Sequence, residues 1–323
     1  MYTVYYCTAF PTKGTAMTLR ALLHDRIAPL KNLSQRSVVM YDSSLDRFRD
    51  FLGHEPDIGD LDDLVLSRFL RWRATTVHDA RRGLISPASL AKDSAHLRSV
   101  WTWLAKKRWK RPDGELLEFP DFARPRVPRP RPAAFTAEEL QLLLDAARHR
   151  RGYISGVPAA WYWPTKILAM FQTGERIGAV LAIRWGEVDI DLHYLTFLDD
   201  TRKWHHETLT RAISAELCAI MAPQRRAADR LVWPWLEDRQ ALSIYPSLRV
   251  LCKTAGVPYH PFHSIRKSTA SYLKKAGRSA KTQLGHSSEE MAEHHYYDEK
   301  IVGTESALDF LPPLDLGGPG KPR

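Results

Sequence analysis

With 323 residues, 44% of them hydrophobic and 26% charged, the chain holds enough apolar material for about two folded domains. Lys and Arg number 47 against 37 Asp and Glu, a formal charge of +10, and a surplus of this kind favours polyanionic partners, nucleic acid first. The three cysteines, Cys7, Cys218 and Cys252, lie far apart, which argues against a disulfide framework or a thiolate zinc site and fits a reducing compartment. No apolar run is long enough to span a bilayer. The opening MYTVYYCTAFPTKG lacks the basic start and unbroken apolar stretch of an export signal, so a cytoplasmic location without membrane attachment is expected.

Residues 1–17 read as a loose arm, and residues 18–111 as a small all-helical domain. Its first clear helix is SQRSVVMYDSSLDRFRDFLG, in which Val38, Tyr41, Leu45, Phe48 and Leu52 recur every three or four residues and Gly53 ends the pattern. DIGDLDDLVLSRFLRWRATT predicts a second helix carrying Leu64, Phe69 and Leu70. In SPASLAKDSAHLRSVWTWLAKKRW, Ser86 is the expected N-cap, Pro87 falls in the first turn, and Leu90, Leu97, Trp101 and Leu104 form the buried stripe.

Residues 112–134 carry six prolines from Pro112 to Pro132, interleaved with Arg124, Arg126, Arg129 and Arg131. Proline removes donors and stiffens the chain, so this stretch reads as a linker, and its arginines can lie along phosphates as readily as they can simply be solvated. A second domain, 135–312, opens on TAEELQLLLDAARHR, where Thr136 and Glu139 have capping-box spacing and Leu140, Leu143, Leu144 and Ala147 form a stripe. WPTKILAMFQTG predicts a helix closed by Gly174, followed by ERIGAVLAIRW with Ile177, Val180 and Leu181 on one side. LHYLTFLDD and HETLTRAI alternate and are rich in β-formers; they read as strands joined through TRKWH. The remainder is helical again, and residues 313–323 form a tail. The fold class expected is mainly α with a small antiparallel sheet (α+β).

Four stretches carry chemistry. Arg176, at the start of the helix after Gly174, can present its planar donors to a phosphate, although a lone arginine there is more often a surface charge. His263 and Arg266, three apart on a helix, share a face from which they can bind a phosphate oxygen and move a proton beside it. Lys203, with Arg202 before it, sits in the strand connection, where a lysine can donate a proton to a leaving oxygen or be merely solvated. GHSSEEMAEHHYYDE places His286 after Gly285 and two adjacent tyrosines on a further helix. A phenol is a poor nucleophile unless a base and cations stabilise its anion, and the histidines and arginines offer both. His260 with His263 and His294 with His295 have no zinc-site spacing, so no metal is expected.

In this order TGERIG, the hairpin lysine, HSIR, and LGHSS followed by a tyrosine resemble the motif boxes of the tyrosine recombinase (phage integrase) family, over roughly Asn32 to Glu299. The resemblance implies a helical core-binding (SAM-like) DNA-binding domain at 18–111 and a catalytic domain at 135–312. It implies site-specific breakage and rejoining of duplex DNA through a 3′-phosphotyrosine, as in integration of mobile elements, without metal, cofactor or ATP. Arg176 and Arg266 would clamp the scissile phosphate, Lys203 would protonate the departing 5′ oxygen, His263 would assist proton transfer, and His286 would hydrogen-bond a phosphate oxygen. The family's usual interval puts the nucleophile at His295; a variant with the tyrosine one place later puts it at Tyr296, with Tyr297 as the competing phenol. The resemblance further implies a homo-tetramer on two DNA sites formed from free monomers, with accessory DNA-bending proteins as further partners. Two features depart from the pattern. Ala179 stands where many members carry an acid bracing the first arginine, which leaves Glu175 as a substitute, and TRKWHHETL does not match the usual hairpin, so Arg202 competes with Lys203. A type IB topoisomerase-like enzyme and a non-catalytic DNA-binding regulator are the alternatives on the same fold.

Overall fold

The computed structural model describes residues 17–76, 83–128, 131–199, 208–285, 293 and 295–303. The chain divides into two compact units, Met1–Arg129 and Pro130–Arg323.

The first unit is helical. A short α1 (Leu19–Leu22), capped by the Thr18 hydroxyl, continues through a π-helical turn (Leu23–Ile27) into α2 (Ala28–Leu30). This segment precedes the first helix expected from periodicity, yet Leu19, Leu22, Leu23 and Ile27 are all in the core. Then come α3 (Gln35–Leu52), α4 (Asp63–Thr75) and α5 (Pro87–Lys106). The expected signals operate: Gly53 closes α3 with φ 81°, and the Ser86 side chain accepts from Ser89 N with Pro87 at the helix start. In α4, Phe69 and Leu70 are buried as expected, and Leu64 alone departs from the expected stripe. Leu66, which lies three before Phe69 and four before Leu70, is fully buried in its place, whereas Leu64 is 59% exposed in the first turn after the Asp62 cap. Phe48 and Phe69 meet edge-on at 5.1 Å in the core. A buried ion pair, Arg73 to Asp93 at 3.0 Å, ties α4 to α5, and Ser44 of α3 donates to the same carboxylate at 2.8 Å. Removing either charge would strand the other in the core, at about 3–5 kcal/mol.

The proline-rich stretch is not a spacer from its first residue. Leu117 and Phe122 are buried in the first unit. Arg98 donates to the carbonyls of Pro120 and Phe122, and the Trp101 indole donates to that of Glu118 at 2.6 Å. Proline blocks ladders, but it does not stop flanking apolar side chains from packing.

The second unit starts at α6 (Ala137–Arg148), with the Thr136–Glu139 capping box formed in both directions. A two-stranded hairpin, β1 (Tyr153–Ile154) and β2 (Val157–Pro158), leads into α7 (Ala159–Thr173). This helix begins before the expected start at Trp163, and Pro164 lies inside it. After α8 (Ile177–Ala182), an antiparallel sheet of order β3-β4-β5 follows, with β3 (Val188–Asp189), β4 (Tyr194–Phe197) and β5 (Leu209–Ala212). The register pairs Leu195 with Arg211 and Phe197 with Leu209. Helices α9 (Ala215–Met221), α10 (Ile244–Ala255), α11 (His263–Lys275), α12 (Ala280–Leu284) and α13 (Glu299–Val302) complete it. The two units therefore give a mainly helical fold with small antiparallel sheets.

Candidate active site

The site is built on α11. His263 opens the helix and Arg266 follows one turn later, on the same face. The Arg266 side chain is fully buried. Its Nη1 donates to Gly174 O at 2.6 Å and its Nη2 to Leu284 O at 2.7 Å. One guanidinium thus joins the carbonyl that caps α7 to the last carbonyl of α12, two groups that a helix end leaves without an internal partner. Gly174 is required twice over. Its φ of 67° suits glycine, and a Cβ there would fall 2.4 Å from Leu284 Cδ2 and 3.2 Å from Thr269 Cγ2. The Thr269 hydroxyl also donates to Phe171 O at 2.7 Å, locking α11 to α7.

Glu175 is buried, with Oε2 3.9 Å from Arg266 Nη1. The substitute acid expected to brace the first arginine therefore answers the charge of the second. Ala179, where an acid was missed, is itself buried in the core. Arg176 caps α8 in an extended conformation, half-buried. Its charge is near enough to depress the proton affinity of both His263 and Arg266. Burial is the largest influence on Arg266 and lowers its pKa, while Tyr296 and Glu175 oppose that; a guanidinium stays charged regardless.

Tyr296 is buried against this pair. Its ring meets that of His263 edge-on at 5.2 Å, its centroid lies 5.7 Å from Arg266 Cζ, and a side-chain hydrogen bond joins it to Arg266. Tyr297 faces elsewhere: Lys274 Nζ lies 5.5 Å from its ring. The two do not share a continuous helix, as expected from EEMAEHHYYDEK. His295 is helical, Tyr296 sits in a turn, and Asp298 starts α13 by accepting from Lys300 N at 2.9 Å. The other Asp298 oxygen accepts from Ala134 N at 2.7 Å. Ser271 of α11 completes the anchor, donating to Tyr296 O at 3.2 Å and accepting from Asp298 N at 2.9 Å. Backbone pinned on both sides of the phenol fixes which tyrosine faces the arginine. Ser271 and Asp298 were not anticipated; the small hydroxyl-rich run STAS in α11 was the available signal.

His263 is pushed down to about 4, first by loss of solvent around the ring and then by Arg266, Lys267 and Arg176. His263 nevertheless stands exposed at the start of α11, so solvent reaches the ring. The imidazole is therefore neutral at physiological pH and able to accept a proton. A folded pKa below the ordinary 6.5 means that the unfolded chain binds this proton more readily. The contribution to stability is complete above about 6.5 and is lost as pH falls toward about 4. Titration of the His263 ring by NMR should give a midpoint near 4 in the free protein; a midpoint at 6.5 or above would mean that the three cations do not bear on the ring.

The structure thus brings Arg176, His263, Arg266 and Tyr296 together. Lys203, its competitor Arg202, and His286 lie outside the described residues. His260 is turned to other work, edge-on to Phe135 at 5.0 Å.

Over 245 residues the chain is 27% identical to the tyrosine recombinase XerC of Xanthomonas campestris pv. campestris (strain B100), covering 72% of this chain and 68% of that protein. Among solved structures, XerH site-specific recombinase bound to palindromic difH substrate aligns with a TM-score of 0.64 at 14% identity, covering 87% of this chain and 82% of that one. A lambda integrase tetramer bound to a Holliday junction aligns with a TM-score of 0.64 at 15% identity, covering 90% and 80%. No protein-family model matches the chain. The fold is that of the two-domain recombinases. In sequence the chain is similar to a tyrosine recombinase, and in fold to the site-specific recombinases and integrases.

Proposed function

We infer that this protein is a site-specific DNA recombinase that cuts and rejoins duplex DNA through a phosphotyrosine link. The observation that carries the reading is the buried Tyr296 phenol held between neutral His263 and the Arg266 guanidinium. In the reaction proposed, the Tyr296 oxygen attacks the scissile phosphorus while its proton passes to His263. The bond from phosphorus to the 5′ oxygen breaks, leaving a 3′-phosphotyrosine and a 5′-hydroxyl. Arg176 and Arg266 offset the charge that grows on the non-bridging oxygens. Lys203 supplies the proton to the leaving oxygen and His286 bonds a phosphate oxygen; both roles rest on the sequence boxes alone. Because the new ester keeps the energy of the old one, rejoining needs no nucleotide cofactor.

The duplex partner is supported by the first unit as well as by net charge. A cleft of about 580 Å³ along α5 has Lys31, Lys106 and Arg124 on a lining that also holds Ala91, Ala95 and Trp103. Tetramer assembly on a junction, as in the lambda integrase structure, and help from DNA-bending proteins belong to the same proposal, as does a cytoplasmic site of action. Binding should fall linearly in log affinity against log salt, by at least about 10³-fold between about 50 and 200 mM. A flat response would mean that these cations do not meet phosphates.

The direct test is a nicked duplex carrying the cognate site, on which cleavage traps the protein. A covalent band that forms equally in EDTA is expected, since two arginines carry the phosphate charge. Loss of the band on chelation and its return with Mg²⁺ would overturn the mechanism.

A further inference from the structure

Behind the start of α11 lies a lysine without an assigned task. Lys166, in the middle of α7, is fully buried. Its Nζ has no hydrogen-bond partner and no ion pair among the described residues. It is surrounded instead by aromatic rings: Trp163 at 3.7 Å, Tyr162 at 4.5 Å, Phe262 at 4.9 Å and Trp235 at 5.8 Å from the nitrogen to the ring centres. An amine buried without a partner is costly, and a methionine or leucine would fill the same space at lower cost. Burial first, and Arg150 second, push its pKa well below the ordinary 10.5, and the ring faces around the nitrogen offset only part of that loss.

The geometry leads toward the site. Phe262 immediately precedes His263 and caps α11. Its ring stacks on Trp163, the ring nearest the amine, at 6.3 Å and 12°. Tyr245 of α10 meets Phe262 edge-on at 5.7 Å. The next side chain along is His263, edge-on to Tyr296. A ring pinned at the cap sets where the first turn of α11 begins, and the first turn carries the imidazole. The other charges around the box are Arg150, whose guanidinium lies 4.9 Å from the Trp163 ring centre, Arg239, 5.0 Å from that of Trp235, and its neighbour Asp238. The nearby Tyr162 phenol is held protonated by burial.

We propose that Lys166 is a positioning residue for the cleavage reaction: by holding Phe262 within its ring of aromatics, it sets the His263 imidazole against Tyr296. This rests on the functional reading above for its catalytic consequence, but the placement of His263 can be measured without cleavage.

The variants are Lys166→Met, which keeps the stem and removes the amine, Phe262→Leu, which removes the ring it grips, and the double variant. On the nicked duplex at saturating DNA, each single variant should cleave about tenfold more slowly with its DNA affinity unchanged, because the effect falls on the bound state. The double variant should be no slower than either single one, since both break the same link. Lys166→Met should melt no lower than the unaltered protein. In the free protein the NMR titration of His263 should move upward from its depressed midpoint in each variant, as the ring loosens toward solvent. Unchanged cleavage, additive losses, or an unmoved His263 titration would each overturn the proposal and leave the cage as core packing alone. Absence of any adduct with the unaltered protein would instead count against the recombinase reading, and the His263 titration would still decide the role of Lys166.

Discussion

Tyr296→Phe should bind DNA as the unaltered protein does and form no covalent adduct, a loss of roughly 10³-fold or more, while Tyr297→Phe should still form it. The two phenols are neighbours in sequence but not in environment. Tyr296 is buried, hydrogen-bonded to Arg266 and edge-on to His263. Tyr297 is half-buried and faces Lys274. Deleting one oxygen from Tyr296 removes the nucleophile and leaves the ring in place against Ala270, Ala280 and Leu284. The same change at Tyr297 removes an oxygen from a ring that lies against Lys274 and not against His263. The check is a covalent band scored for both variants beside a binding titration. Adduct from Tyr296→Phe and none from Tyr297→Phe would move the nucleophile by one residue.

The arginines should separate in a different way. Arg266→Ala should abolish cleavage and also lower the melting temperature, because Arg266 is part of the fold. Without it, the carbonyls of Gly174 and Leu284 lose their donors and Glu175 is left as a buried acid beside an empty space. Taking a buried guanidinium away from two carbonyls and a nearby acid costs about 3–5 kcal/mol, a large part of a typical domain's stability. Arg176→Ala should cost cleavage by about 10²–10³-fold and change melting little, since Arg176 is half-buried at a helix start. Thermal melts beside single-turnover cleavage decide it. A fully stable Arg266→Ala would mean that its two carbonyl bonds do not hold α7 to α12.

Local signals made much of the architecture legible. The caps at Ser86, Thr136, Gly53 and Gly174 each act through one residue and its neighbours, so they can be read from a string. What depended on phase or tertiary partners was less accessible. Leu66 and not Leu64 joins Phe69 and Leu70 on the buried face, and Leu117 and Phe122 pack despite the prolines around them. The segment from Leu19 to Leu30 was missed because a π-turn and Pro29 interrupt its period.

The site divides along the same line. His263 and Arg266 share a face by spacing alone, so their pairing was readable. That Tyr296 and not Tyr297 meets them depends on Ser271 and Asp298, which come together only when α11 meets the start of α13. Glu175 turning to Arg266 is likewise a fact of packing. Lys166 gives no signal in sequence, because most lysines are solvated and only the rings around this one mark it as different.

The central claim is a bond between one tyrosine oxygen and the 3′ end of a broken strand. It is tested most directly by digesting the trapped protein–DNA adduct with nuclease and protease and locating the residual nucleotide by mass spectrometry. The account predicts a nucleotide attached through its 3′ phosphate to Tyr296, with a free 5′-hydroxyl on the released strand. A nucleotide on another residue, attachment through a 5′ phosphate, or DNA bound at its cognate site without any covalent product would contradict it.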